Sequence, residues 1–402
     1  MAPCAIHPVT PGLKVAFGSA LSRHPVITTA VGEVVGDILE QVGPNPDLAV
    51  LFVTAPMVGA LDDVVATIRH LLAPGCLIGT TGSAILAGGV GVEDEPAIAL
   101  WAGRFPTPVA GVRFMSHQTP QGWVFDGMPD AAAVAGKALI LLADPFSFPG
   151  DEFLADISRR CPGLLISGGF ASAARNPGGN RLVLDGTIVT SGAVGVLVPA
   201  VTQTVVSQGC RPIGQPFIVT RADRNVLYEL GGRPAYERLL EMVAGLSPDD
   251  RRLASQGLHC GIVVDEYKAE FGRGDFLVRG VMGADKSAGA VVVGDEVPVG
   301  ATVQFQVRDP GSAGPDLMAM LQDVRADGAL VFTCNGRGSF MFGSPHHDAA
   351  IIEDALASNG PLRPAVAGLF CAGEIGPVGG RNALHGFTAS LALFCSHSQN
   401  AP

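Results

Sequence analysis

Four polar side chains stand at the ends of apolar runs late in the chain. Cys334 and Arg337 come from "CNGRG", and Glu374 and His385 come from "LFCAGEIGPVGGRNALHGFTAS". Glu374 is a solitary acid between small and apolar residues, so it reads as placed rather than scattered. An isolated carboxylate near a core costs several kcal/mol even after relaxation unless a cation or donors compensate. A guanidinium can answer with a forked pair of hydrogen bonds. Three readings follow. In the first, Arg337 and Glu374 form an ion pair that pins two turns together. Alternatively, Cys334, Asn335, Arg337, Glu374 and His385 form a ligand pocket with the N–H groups of the glycine turns. Arg337 would then take an anionic group, Glu374 an amine, and Asn335 and His385 further hydrogen bonds. The third reading is a thiol enzyme for acyl transfer or hydrolysis, with Cys334 as nucleophile, His385 as base and Glu374 as orienting acid.

Other motifs carry less. His346, His347 and Asp348 open a helix as adjacent residues, which suits solvated or helix-capping groups better than metal ligands; no HxxxH or CxxC pattern supports a metal. The glycine-rich "GTTGSAILAGGVGVE" lacks the P-loop lysine and the strand–GxGxxG–helix spacing of a dinucleotide fold. No cofactor and no metal are expected.

Three segments that would position these residues share one grammar. In the first, "LAVLFVTAP" reads as a buried strand, "ALDDVVATIRHLLA" as an amphipathic helix, "GCLIGTTGSAIL" as a glycine-ended strand and "PAIALWAG" as a return strand. In the second, "KALILLADP", "PGDEFLADISRRC" and "GLLISGGFAS" repeat the order, followed by a hairpin around Asp185-Gly186. The third runs "GALVFTCNGRG", "HHDAAIIEDALAS", "VAGLFCAGEIG" and "ALHGFTASLALF". Duplication and ordinary α/β alternation both produce such a pattern. Between the second and third segments lie a hairpin, the helix "PAYERLLEMVAGL" and several antiparallel strands joined by Gly/Asp/Lys turns. The stretch "SQGCRPIGQ", Ser207 to Gln215, reads as the boundary, giving domains at 11–206 and 214–396. The class expected is α/β (α+β): two domains of mixed β-sheet flanked by helices, built on repeated strand–helix–strand–strand units.

Composition narrows the roles. The 402 residues are 48% hydrophobic and only 16% charged, which suits a compact folded chain. A net charge of −11 without a Lys/Arg stripe argues against nucleic-acid or anionic-membrane partners. Mean hydropathy is positive. Even so, the apolar runs at 131–143 and 192–206 are interrupted by Lys137 and by Pro199, Thr202, Gln203 and Thr204, short of the roughly 20 apolar residues of a spanning helix. The N-terminus has no basic-then-apolar secretory pattern. With eight scattered cysteines and no CxxC, the chain reads as a cytoplasmic protein with reduced, buried thiols.

These motifs together resemble the FIST family of sensory domains. "LAVLFVTAP", "GCLIGTTGS" and "GLLISGGFAS" resemble its N-terminal domain. "PFIVTRADRNVLYELGGRPAYERL", "CNGRG", "GEIGPVGG" and "LHGFTASLALF", in that order, resemble its C-terminal domain. The resemblance implies a signal-transduction module that senses a small molecule such as an amino acid or a related metabolite. It also marks Cys334, Arg337, Glu374 and His385 as motif residues. No output domain of the kind joined to such modules is apparent, so the standalone form implies a protein signalling partner.

Overall fold

The computed structural model describes residues 16–199, 203–360 and 363–396. Cys4, residues 11–15 of the expected first domain and residues 200–202 lie outside them. The three repeated units are all present. Each begins with a parallel strand pair: Leu48–Thr54 with Cys76–Gly82, Lys137–Ala143 with Leu165–Phe170, and Gly328–Cys334 with Ala365–Cys371. Return strands Ile98–Gly103, Ala193–Pro199 and Thr388–Phe394 run antiparallel to the first strand of each pair. These strands are buried on both faces. That explains why they read as continuous apolar runs instead of alternating ones.

The connecting helices lie outside. Helix Leu61–Leu71 opens on Asp62 and Asp63 and closes on Arg69 and His70. Helix Gly150–Arg160 opens on Asp151 and Glu152 and closes on Arg159 and Arg160. Both charge patterns complement the helix dipole. In unit one Val64, Val65 and Ile68 press on the outer sheet face, as Phe153, Leu154 and Ile157 do in unit two and Ala349, Ile352 and Leu356 in unit three. The inner faces meet in one central core. Leu48, Val50 and Phe52 there join Ala138, Ile140 and Leu142, and Leu330 and Phe332 complete it.

The hairpins between the glycine-ended and return strands are exchanged in a ring. Unit one's hairpin, Ala84–Ala87 with Val90–Glu93, extends the sheet of unit three through Gly368↔Leu86. Unit two's hairpin, Leu182–Leu184 with Thr187–Val189, extends that of unit one through Gly79↔Val183. Unit three's hairpin, Glu374–Val378 with Arg381–His385, extends that of unit two through Gly169↔Glu374. The ring closes where the glycine-ended strands converge. Ser172 N donates to Thr81 O and Ala372 N to Phe170 O, while Ser83 N reaches the Ser172 hydroxyl, which itself donates to Phe370 O. The turn at Asp185 and Gly186 is where the sequence places it, with Asp185 at a φ of 54°.

Between units two and three the antiparallel strands close on themselves. Phe217–Asp223, Val226–Leu230, Ala290–Val293, Phe276–Asp285, Leu258–Val263 and Thr302–Arg308 pair in that circular order. Closure removes the sheet edges that would otherwise invite aggregation. Val303, Phe305 and Val307 face the barrel core, on which the helices Ala235–Gly245 and Pro248–Gln256 pack. By strand alternation, Gln304, Gln306 and Arg308 face outward, and Arg308 reaches Gly336 of unit three. The expected boundary Ser207–Gln215 carries the chain from strand Gln203–Gln208, paired with unit three, into Cys210–Pro212, paired with barrel strand Thr302–Arg308.

Candidate functional site

Equivalent positions in the three units expose what is unusual about Glu374. It pairs with Gly169 at the register position where Leu182 pairs with Thr80 and Ile85 with Leu369. Leu182 and Ile85 both belong to the central core. Unit three thus sets a carboxyl group where its relatives set an aliphatic side chain. Glu374 is fully buried. Its Oε2 accepts from Thr388 N at 3.1 Å and Thr388 Oγ1 at 2.9 Å, and its Oε1 has no partner. Burial pushes its pKa up to about 8, against the opposing pull of the Thr388 donors and the Arg337 charge. The group is therefore mainly a neutral acid at pH 7.

Arg337 answers a different acid. Its Nε donates to Asp348 Oδ2 at 2.7 Å and its Nη2 to Asp348 Oδ1 at 3.0 Å. The Arg337–Glu374 ion pair that the sequence suggests is not made. Asp348 lies in the first turn of helix His347–Asn359, directly beside the turn that carries Arg337, and takes both donors of the Nε–Nη2 edge. Asp348 is buried rather than solvated, which also corrects the reading of the His346–Asp348 triplet. Thr333 Oγ1 donates to it at 2.8 Å, and His347 Nδ1 lies 3.0 Å away. Burial would raise the Asp348 pKa, but the Arg337 charge and these hydrogen bonds outweigh it and hold the carboxyl well below the usual range. Arg337 Nη1 has no partner.

The thiol site is not assembled. Burial pushes the Cys334 pKa up to about 12, with Glu374 adding to the rise, so the group is a thiol and not a thiolate. His385 stands opposite Glu374 in its hairpin, but its Nε2 lies 3.0 Å from Gly376 O. No hydrogen bond among the described residues joins it to Cys334. Asn335 is exposed, with its backbone N–H bonded to Cys371 O at 2.9 Å. Also among the described residues, no group of three or more His, Cys, Asp or Glu could hold a metal.

A cleft of about 710 Å³ opens where the barrel meets unit three, lined by Arg252, Leu253, Gly257, Arg308, Phe340 and Met341. Its size falls in the range of small-molecule sites. Arg308 ends the barrel strand Thr302–Arg308 and is half-buried. Its guanidinium sits 4.9 Å over the Phe387 ring, and Nη2 donates to Gly336 O. A Cβ at position 336 would come 2.7 Å from that nitrogen, so "CNGRG" needs its first glycine for this approach. The cleft lip, Ser339–Phe342, is held by unit one's exchanged hairpin, whose Glu93 Oε1 accepts from Ser339 N at 2.8 Å.

None of Cys334, Asn335, Arg337, Glu374 or His385 lines this cleft. Cys334, Arg337 and Glu374 gather within electrostatic reach of one another behind it, and His385 occupies the far strand of the hairpin. Reading the sequence missed Arg308 and took Asp348 for a solvated or capping group. For Arg308 the signal was there: in "TVQFQVR" the polar residues alternate, and the last of them is a cation at a strand end.

Fold and site together define a mixed α/β protein with an inserted barrel and a ligand-sized cleft at their joint. The chain matches the FIST N domain over residues 47–233 and the FIST C domain over residues 234–377. It is 45% identical over 390 residues to an uncharacterized protein of Mycobacterium tuberculosis strain H37Rv, covering 94% of this chain and 99% of that one. A second uncharacterized protein, from Mycobacterium bovis, is 44% identical over 392 residues, covering 94% and 98%. The chain belongs to the FIST family, whose domains are associated with signal transduction and sensing. None of its described helices is long and apolar enough to cross a membrane.

Proposed function

We propose that this FIST protein is a sensor that binds a small carboxylate-bearing metabolite, an amino acid or a relative of one, in the cleft between barrel and unit three. The observation that carries the reading is the state of Arg308. It is a half-buried cation in a ligand-sized cleft, bonded to a backbone oxygen and an aromatic face. No carboxylate among the described residues forms an ion pair with it, since neighbouring Asp309 is taken by Arg211 at 2.7 Å. An anionic group supplied from solution completes it. Arg337 and Glu374 act from behind, as buried groups that hold the turn under Arg308.

A ligand bonded to Arg308 draws it from Gly336 O and Phe387, and so changes how the barrel seats on unit three. Such a ligand shifts the equilibrium by its difference in affinity for the two seatings. A protein partner that distinguishes them provides the output. Cys210, Cys334 and Cys371 are buried free thiols, which suits a cytoplasmic setting.

The test is a thermal-shift and calorimetric screen of the protein against amino acids and their 2-oxo acids. A ligand present at one hundred times its Kd adds about 2.7 kcal/mol and shifts the midpoint visibly. Arg308→Ala is expected to weaken that ligand by about 10- to 150-fold, the worth of a charged hydrogen bond. Affinity unchanged in Arg308→Ala would remove the cleft from consideration.

A further inference from the structure

The interface between barrel and unit three buries polar atoms that nothing satisfies. His259 Nδ1, both polar atoms of the Gln306 carboxamide, Arg337 Nη1 and Glu374 Oε1 have no hydrogen-bond partner among the described residues. All four side chains are at least nine-tenths buried, and Gln306 is completely so. His259 and Arg337 both lie beside Phe387. Its ring lies 4.2 Å from that of His259 and beneath the Arg308 guanidinium. A Cβ at Gly209 would meet Phe387 O at 2.6 Å and Arg337 Nη1 at 2.8 Å. Buried polar groups are paired as a rule, and each that is not is costly.

His259 and Gln306 are direct partners in the ladder between Leu258–Val263 and Thr302–Arg308. Two residues along Thr302–Arg308, on the same outward face, stands Arg308, and Gly257 ends the helix that leads into Leu258–Val263; both line the cleft. The unsatisfied pair is thus one rung inward from the cleft floor, about 7 Å along the strand. The Arg308 guanidinium, laid over Phe387, stands between the two. The Gln306 carboxamide itself lies over Gly261, where a Cβ would clash with Nε2, so a ligand reaches it past His259 and Phe387 once Arg308 has moved.

We propose that Gln306, flanked by His259, is an inner subsite of the cleft that reads a carboxamide or lactam group on the ligand. This rests on the cleft being the ligand site. A carboxamide carries one acceptor and one donor side by side, and both are unmet on Gln306. Another carboxamide or a lactam returns a donor to Oε1 and an acceptor to Nε2. A carboxylate satisfies Nε2 only and sets its charge against Oε1. Neutral His259, its pKa pushed down to about 4 by burial and further by the Arg308 charge, adds a single polar atom and no charge. The ligand class is therefore a small acid whose far end is an amide: carboxylate on Arg308, amide on Gln306.

The experiment is calorimetric titration of the full chain with matched pairs, succinamate against succinate and glutaramate against glutarate. Each pair keeps one carboxylate and differs only at the far end. The monoamide is expected to bind about tenfold or more tightly than its diacid. Gln306→Met keeps the volume and removes both unmet atoms. It should erase the preference and raise the melting midpoint of the ligand-free protein. Three results overturn the subsite: equal affinities within a pair, a preference that survives Gln306→Met, or a lower ligand-free midpoint in that variant. If neither pair binds while another carboxylate binds through Arg308, the amide subsite falls and the carboxylate sensor stands. If no carboxylate binds, both fall.

Discussion

Replacing Asp348 with alanine is expected to destabilise the protein by about 3–5 kcal/mol, the cost of leaving a buried charge without its partner. Arg337 and Asp348 are 1% and 3% exposed, and their forked pair is made at 2.7 and 3.0 Å. Removing the acid strands a guanidinium whose Nη1 is already unmet. The loss spreads to the cleft, because Arg337 closes the turn whose Gly336 oxygen holds Arg308. The double variant Arg337→Met, Asp348→Leu separates the cost of breaking the pair from its net worth. Apolar replacement of both partners is often near neutral, so the double variant should recover much of the stability lost by the single. Urea unfolding of the three proteins reads this directly. A loss under about 1 kcal/mol in Asp348→Ala would mean that water reaches the guanidinium and that the pair is not buried in solution.

The second large effect is a stability maximum near pH 6.5, with a fall above it that belongs to Glu374. Burial raises the Glu374 pKa from 4.5 to about 8, so the folded protein holds a proton that the unfolded chain has lost. Its contribution is fully present below pH 4.5 and is lost as pH rises through about 8, on the order of 4–5 kcal/mol in all. Buried His259 and His385 act in the opposite sense. Burial lowers each from 6.5 to about 4, with Arg308 and Arg279 respectively adding to the shift. Their contribution is present above pH 6.5 and lost as pH falls toward 4. Two histidines outweigh one acid between pH 4 and 6.5, so stability rises there. Above 6.5 only Glu374 still titrates among the three, and stability falls. Glu374→Gln should convert the fall between pH 6.5 and 8 into a plateau. Melting midpoints from pH 4 to 9 decide it. A wild-type midpoint that does not fall above 6.5, or a fall that persists in Glu374→Gln, would show that the carboxyl ionises without penalty.

Much of this fold was legible from residues alone, because local physics writes it there. Strands buried on both faces must be apolar throughout, so "LAVLFVT", "KALILLA" and "GALVFTC" announce themselves. Acid-to-base helices and the turn at Asp185-Gly186 follow from dipole and backbone preferences within a few residues. The solitary Glu374 also stood out, since one acid among small residues is a local anomaly, and its family followed from the order of the linked motifs.

Sequence alone determined the three strand–helix–strand–strand units and marked Glu374 as a solitary acid. Tertiary structure decided their partners. An exposed strand edge accepts any matching backbone, so nothing within "GEIGPV" says that it pairs with Gly168 and Gly169 of unit two. Barrel closure likewise depends on strands some 40 residues apart, Leu258–Val263 and Thr302–Arg308, meeting in register. Arg337 had two acids within reach in the sequence, Glu374 and Asp348. Only the docking of helix His347–Asn359 on its sheet chose between them, because a charge pairs with whichever counter-ion the packing brings within hydrogen-bonding distance. The cleft at Arg308 exists in neither the barrel nor unit three, and it arises where the two meet.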